Sequence, residues 1–307
     1  MTTLIVDSAC DLPKSLIDKS KMKLLPATIN YDQHSIQDYR ITEQTIQLYE
    51  SGALDKAHLG ETAPTTTNDI FKIIEATILE GEDDIVIQTV NRVRSPTYEN
   101  AVEAVTVISK KYSNKKLNIR VQDSRTIFTG QGVLAAHTIA LMNKGVNGTK
   151  LRRTIDLLSS KVHAYQVPKD VYYLRERARK KGDNSISWLG AVIGRAIGIS
   201  PIVLALDDQT FPVEKIRGFD NAVQTLFTHT VNKIKEGLLS PFIVVSYAGN
   251  PKDLEAFEGL QTLRAAAKAK RYQVVVTTMS LSGGINLGPG TVSVAFATEP
   301  YQWTIKK

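Results

Sequence analysis

Short apolar runs alternate with longer stretches of helical spacing through the first half of the chain. Thr3-Leu4-Ile5-Val6 closes on Asp7-Ser8 and reads as a buried strand. Asp11 predicts an N-cap, and Pro13 an early helical position, for a helix over residues 14–21. Residues 23–31 read as one strand, with Pro26 at its start or at a bulge. Apolar positions Ile70, Phe71, Ile73, Ile74, Ile78 and Leu79 predict a helix over 67–80. A strand over 84–89, a helix over 97–111, a strand over 117–122 and a helix over 132–144, stopped by Gly145, complete the series. Such alternation implies βαβ units and a parallel sheet covered on both faces.

The second half has a different rhythm. Helices are predicted over 151–161, 170–181, 187–197, 221–236 and 251–268, the third of them apolar with spaced glycines. Strands are predicted over 201–206, 212–216, 242–247, 272–278 and 292–297. Asp207-Asp208-Gln209-Thr210 between two of them suggests a hairpin, hence a mixed sheet. The expectation is α/β with two domains. Residues 1–160 would form an N-terminal three-layer α/β/α domain with a parallel sheet. Residues 161–307 would form a C-terminal α/β domain with a mixed sheet, and a ligand site would lie between the two.

Composition narrows the function classes. The chain has 307 residues, 42% hydrophobic and 22% charged, as a globular protein has. Cys10 is the only cysteine, which excludes an intrachain disulfide and any cysteine-built metal site and suits a cytoplasmic setting. The opening residues read as a strand and not as a signal peptide, and residues 187–206, interrupted by Arg195 and Pro201, as core and not a membrane span. The net charge is +7, and residues 150–217 hold 13 basic against 7 acidic side chains. No run reaches the length of a nucleic-acid-binding tail, so a solvated or partner-facing surface is expected in place of nucleic acid.

No catalytic constellation stands out. The five histidines show no metal-ligand spacing, and HExxH, P-loop and GxSxG patterns are absent. Gly130-Gln131-Gly132-Val133-Leu134-Ala135 matches a dinucleotide fingerprint, but residues 124–129 separate it from the preceding strand, so ordinary helix-start glycines explain it better. What remains is a set of small polar loops: Asp7-Ser8, Thr62 with Thr65 and Thr66, residues 91–97, Asp123-Ser124 and residues 286–290. Hydroxyls and backbone N–H groups at strand ends suit a carboxylate or phosphate.

The order of these motifs resembles the DegV family, bacterial fatty-acid-binding proteins that include the binding subunit of fatty acid kinase. Residues 7–13 resemble the family's opening strand and loop, and Leu24-Leu25-Pro26 its second strand. Thr62-Ala63-Pro64-Thr65 stands where the family has Thr-Ser-Gln-Pro-Ser, and Ser95-Pro96-Thr97-Tyr98 where it has Ser-Gly-Thr-Tyr. Tyr173-Leu174 with Arg179, residues 197–202, Lys215-Ile216-Arg217-Gly218 and Gly288-Pro289-Gly290 match later family elements.

The resemblance implies non-covalent binding of a long-chain fatty acid, no other cofactor, no metal, no catalytic residue and no integral membrane segment. It also implies a possible partner, the catalytic subunit of a fatty acid kinase. Carried over residue by residue, the ligand site comprises Thr62, Arg92, Ser95, Thr97, Arg179, Asn286 and Gly288. Three departures fall there: Asn286 replaces the family's closing histidine, Asn91 and Arg92 its paired serines, and Arg177-Ala178 its Gly-Gly. Because Pro96 removes a backbone donor, Arg92 is expected to turn inward and pair with the anion, and Arg179 to point toward the site mouth. Two rivals remain open: an enzyme or binder for a small anion clamped by Arg92, Arg94 and Arg179, or a divergent scaffold without a ligand.

Overall fold

The computed structural model describes residues 2–58, 60–181 and 198–304. The helix expected over 187–197 lies outside the described residues.

Four parallel strands form the first sheet: β1 (Thr2–Asp7), β2 (Lys23–Leu25), β6 (Asp84–Thr89) and β7 (Asn118–Asp123), ordered β2-β1-β6-β7. Leu4 lies opposite Val86, and Val6 opposite Leu24. Helices α3 (Thr67–Leu79) and α4 (Thr97–Lys111) bury Ile70, Ile74, Ala101 and Ile108 against Ile5, Ile85 and Ile87 on one face. The other face packs on α1 (Lys14–Lys19), α5 (Thr129–Asn143) and α6 (Gly148–Ser159).

The second sheet is mixed, ordered β10-β9-β8-β13-β11-β12. It contains β8 (Val162–Val167), β9 (Ile199–Leu206), β10 (Gln209–Arg217), β11 (Phe242–Tyr247), β12 (Gln273–Thr278) and β13 (Val292–Ala297), with only β11 and β12 parallel. The expected hairpin joins β9 to β10. Asp207 and Asp208 take φ of 43° and 68°, the left-handed pair that a tight two-residue hairpin turn requires. Helices Phe219–Glu236 and Glu258–Ala269 cover one face, and the tail brings Tyr301 and Trp303 back against His229.

Helix α5 joins the two sheets. Residues 129–136 are all buried, because the cluster around Val133, Leu134 and Ala135 draws Leu4, Val6 and Val86 from the first sheet and Ala164, Val244 and Ala295 from the second. Its glycines serve this contact: a Cβ on Gly132 would sit 2.8 Å from the Asp11 carbonyl oxygen, and one on Gly130 3.0 Å from the Ala164 Cβ.

The sequence expectations need corrections: the helix expected over 251–268 is a 3-10 segment, Pro251–Ala256, followed by a helix over Glu258–Ala269. Residues 23–31 are two strands, not one: after Pro26 the chain leaves the parallel sheet and forms β3 (Thr28–Tyr31). With β4 (His34–Gln37) and β5 (Glu61–Ala63), β3 makes a separate antiparallel sheet ordered β4-β3-β5. Asp11 does not cap α1, whose N-cap is Pro13; its buried carboxylate instead accepts from Ser246 Oγ and Ser280 N in the second half of the chain. Finally, Thr62 lies within β5, opposite Ile29, and not in a loop at the end of a parallel strand.

Candidate functional site: a cleft between the sheets

Three cavities that share wall residues lie in a row through the cleft. The outer one, about 300 Å3, is bounded by Lys56, His58 and Thr62 on one side and Tyr172, Tyr173 and Arg177 on the other. The inner one, about 90 Å3, lies between Thr62, the 94–97 loop and Asn286. The last, about 40 Å3, is walled mainly by Ile127, Phe128, Leu174, Val203 and Leu287. Thr62, Arg177 and Asn286 border both the outer and inner cavities; Arg94, Ile127, Phe128 and Arg177 border the inner and the last. Polarity therefore falls along the row.

Local structure places each polar side chain. Pairing of β5 with β3 holds Thr62 at the cleft edge. Ser95 and Thr97 meet at the N-terminus of α4, their hydroxyls 2.8 Å apart, and the Ser95 hydroxyl also accepts the Thr97 N–H. That helix end carries unpaired N–H groups and the positive end of the dipole. Asn286 lies on the short helix Leu281–Leu287, where its Nδ2 donates to the Ser282 carbonyl at 2.6 Å.

The helix carrying Asn286 is anchored by buried polar groups from the first half of the chain. Ser280 N–H donates to Asp11, Leu281 N–H to Asp38, and Tyr49 Oη to the Ser280 carbonyl. The Arg40 guanidinium donates to the Thr278 carbonyl at 2.8 Å. Burial raises the carboxyl pKa of Asp11 and Asp38, and Arg40 lowers both in opposition.

The cleft does not gather every predicted residue. Thr62, Ser95, Thr97 and Asn286 border the inner cavity together. Gly288 borders none of the three and has another role: at φ 91° it ends its helix, and a Cβ there would lie 2.3 Å from the Tyr173 ring. Only glycine lets α7 (Tyr172–Lys181) approach so closely.

Arg92 points outward, contrary to expectation. Its side chain is 57% exposed, with Nε 3.9 Å from Asp123 Oδ2 and the guanidinium over the Tyr98 ring. Asp123 offers a counter-charge outside the cleft, and that carboxylate is itself fixed by the N–H groups of Arg92 and Arg125. Arg94 is the member of this loop that borders the inner cavity, with Nη2 donating to Thr210 Oγ1.

Arg179 likewise points outward, 71% exposed and paired with Glu176. The arginine at the cleft is Arg177, which borders all three cavities. Helical phase explains the exchange: Arg177 follows Tyr173 by four residues and buried Leu174 by three, so the three share a face that residue 179 leaves. That phase was available in the sequence. The apolar wall at Phe128 was not, because it depends on a φ of 48° in a loop residue.

Among the described residues no cluster of three or more His, Cys, Asp or Glu could hold a metal ion, and no helix is long and apolar enough to cross a membrane.

Comparison with known proteins adds relatives to this geometry. The model of the DegV family, described as uncharacterised proteins, matches residues 1–299. A DegV domain-containing protein of Xanthomonas campestris pv. campestris is 32% identical over 309 residues, covering 98% of each chain. A stearic-acid-binding protein of Eubacterium ventriosum superposes with a TM-score of 0.79 at 18% identity, over 97% of this chain and 98% of its own. A DegV family protein of Eubacterium eligens loaded with heptadecanoic acid superposes with a TM-score of 0.75 at 17% identity, over 97% of this chain and 100% of its own.

Proposed function

The chain belongs to the DegV family, and from that premise we propose that it binds a long-chain fatty acid non-covalently in the cleft between its two sheets. The observation that carries this reading is the row of adjoining cavities with shared walls, polar where it opens and apolar where it ends. The head group lies among Thr62, Ser95, Thr97 and Asn286, where hydroxyl and amide donors meet a helix N-terminus. The acyl chain runs past Ile127 and Phe128 toward Leu174, Val203 and Leu287. Each methylene buried there contributes ~0.8 kcal/mol before ordering costs.

Within this proposal residues 1–160 and 161–307 are the two lobes, and Arg177 takes the mouth position first given to Arg179. The protein acts by holding its ligand and not by catalysis. Presentation of the carboxylate to the catalytic subunit of a fatty acid kinase, in the cytoplasm, extends the same reading. The small-anion rival loses its support, since two of its three clamps, Arg92 and Arg179, face solvent.

Native mass spectrometry of the purified chain tests the proposal and should find a co-purified acyl mass. Thr62→Val keeps the shape and removes one donor; loss of a charge-assisted hydrogen bond, roughly 1.5–3 kcal/mol, should weaken binding ten- to a hundredfold. A chain that carries no acyl mass and binds no added fatty acid refutes it.

A further inference from the structure

The inner cavity holds a carboxyl group that the proposed function leaves unused. Asp7 ends β1 and is 4% exposed. Its Oδ2 accepts the Val90 N–H, and its Oδ1 accepts the Ala9 N–H at 3.1 Å and Gln131 Nε2 at 3.2 Å. Asp7, Ala9 and Val90 all border the inner cavity, so this carboxyl forms its floor. Burial pushes its pKa up to about 6 although all three donors oppose the shift.

The charged surroundings do not stabilise the carboxylate. Asp38 raises it further, and the groups that lower it are backbone and amide N–H donors rather than a cation. Burial raises the neighbouring Cys10 thiol, with Asp7 and Asp11 acting in the same direction and Arg40 against it. Arg94 and Arg177 stand on the walls of the inner cavity, and Thr62, Ser95, Thr97 and Asn286 are among its uncharged polar groups.

An anionic head group between Thr62 and Thr97 brings a second carboxylate into this space of about 90 Å3. Two carboxylates this close repel, and Asp7, which is buried and held by N–H donors and not by a cation, is the one that takes a proton. A separate observation shows where that proton fits. Gln131 Oε1 is buried without a hydrogen-bond partner, although the same amide already reaches Asp7 through its nitrogen. Turning the amide over would present an acceptor to an Asp7 O–H.

We propose that Asp7 carries the proton that accompanies an anionic head group into the inner cavity, so that each capture event takes one proton from solution. This rests on the fatty-acid reading and adds a rule to it: binding tightens as the medium becomes more acidic, while the ligand itself stays ionised.

Isothermal titration calorimetry of the full chain with carboxyl-13C-labelled decanoate tests the inference. Run near neutral pH in buffers of low and high ionisation enthalpy, it should show uptake of at least about half a proton in the parent chain and none in Asp7→Asn. Affinity should weaken roughly three- to tenfold per unit rise in pH above neutrality, and the bound ligand's 13C resonance should stay at its ionised position. Binding without buffer dependence, uptake that persists in Asp7→Asn, or a ligand carbon that titrates in this range overturns the proposal. If Asp7→Asn does not fold, the buffer dependence and 13C resonance of the parent decide alone. Failure of decanoate and palmitate to bind at all refutes the underlying function instead.

Discussion

Acid should loosen the packing behind the second sheet, and two histidines set the size of the effect. His163 and His229 are 1% and 7% exposed. His229 Nε2 meets the Tyr301 hydroxyl at 2.8 Å, and Trp303 stacks on its ring at 3.8 Å between centroids. Burial lowers the His163 pKa from 6.5 to about 4 and that of His229 to about 3, with Lys233 adding to both shifts. Both rings are therefore neutral in the folded chain, and the stability this contributes is complete above 6.5. It is lost as pH falls below 6.5, because the unfolded chain then binds protons that the folded chain refuses. At pH 5 each ring costs roughly 2 kcal/mol relative to neutral conditions, about 4 kcal/mol together. Asp7 works the other way: its folded pKa of about 6 lies above 3.8, so it adds stability as pH falls through 6, about 1 kcal/mol by pH 5. The clean measurement is therefore a difference between proteins. Urea unfolding at pH 8 and pH 5, followed by tryptophan fluorescence, should show the His163→Phe/His229→Phe double variant losing about 4 kcal/mol less than the parent between the two conditions. Equal losses in the two proteins would refute the reasoning, whatever their absolute stabilities.

Two further outcomes bear on the cleft. Arg177→Ala should weaken fatty-acid binding about tenfold or more, while Arg179→Ala, which breaks only an exposed pair with Glu176, should leave it unchanged; fluorescent fatty-acid displacement reads both. Gly288→Ala forces a Cβ into the Tyr173 ring at a left-handed φ and should cost about 1–3 kcal/mol in urea unfolding from backbone strain alone; adding Tyr173→Ala relieves the clash but not that strain.

Burial on both faces made much of the architecture readable. Residues 85–87 and 242–245 are unbroken apolar runs because helices cover both sides of them, and they form the centres of β6 and β11. Of the three-stranded sheet only β3 falls within a predicted strand, and the sheet as a unit leaves no such trace. Its strands read Thr-Ile-Asn-Tyr, His-Ser-Ile-Gln and Glu-Thr-Ala, too short and polar to show a period of two, so the element that carries Thr62 had no pattern of its own. At the cleft, family position suggested Arg179 and helical phase suggests Arg177; the phase is the physical statement about which way a side chain points. Arg92 was misjudged because its orientation depends on Asp123, a residue 31 positions away that no local spacing brings beside it.

The all-round burial of α5 has a consequence for how the chain is made. A nascent chain completes this helix while the strands that will cover its far side, from β8 to β13, are still unsynthesised. Until they arrive, the side of α5 at Gly130 and Gly132, which will meet Ala164 and Val244, lies uncovered. The first half thus leaves the ribosome with a surface that invites aggregation or a chaperone. A gene fragment ending near residue 160 would freeze the protein at that stage. It should be recovered insoluble or chaperone-bound, although its own parallel sheet is complete.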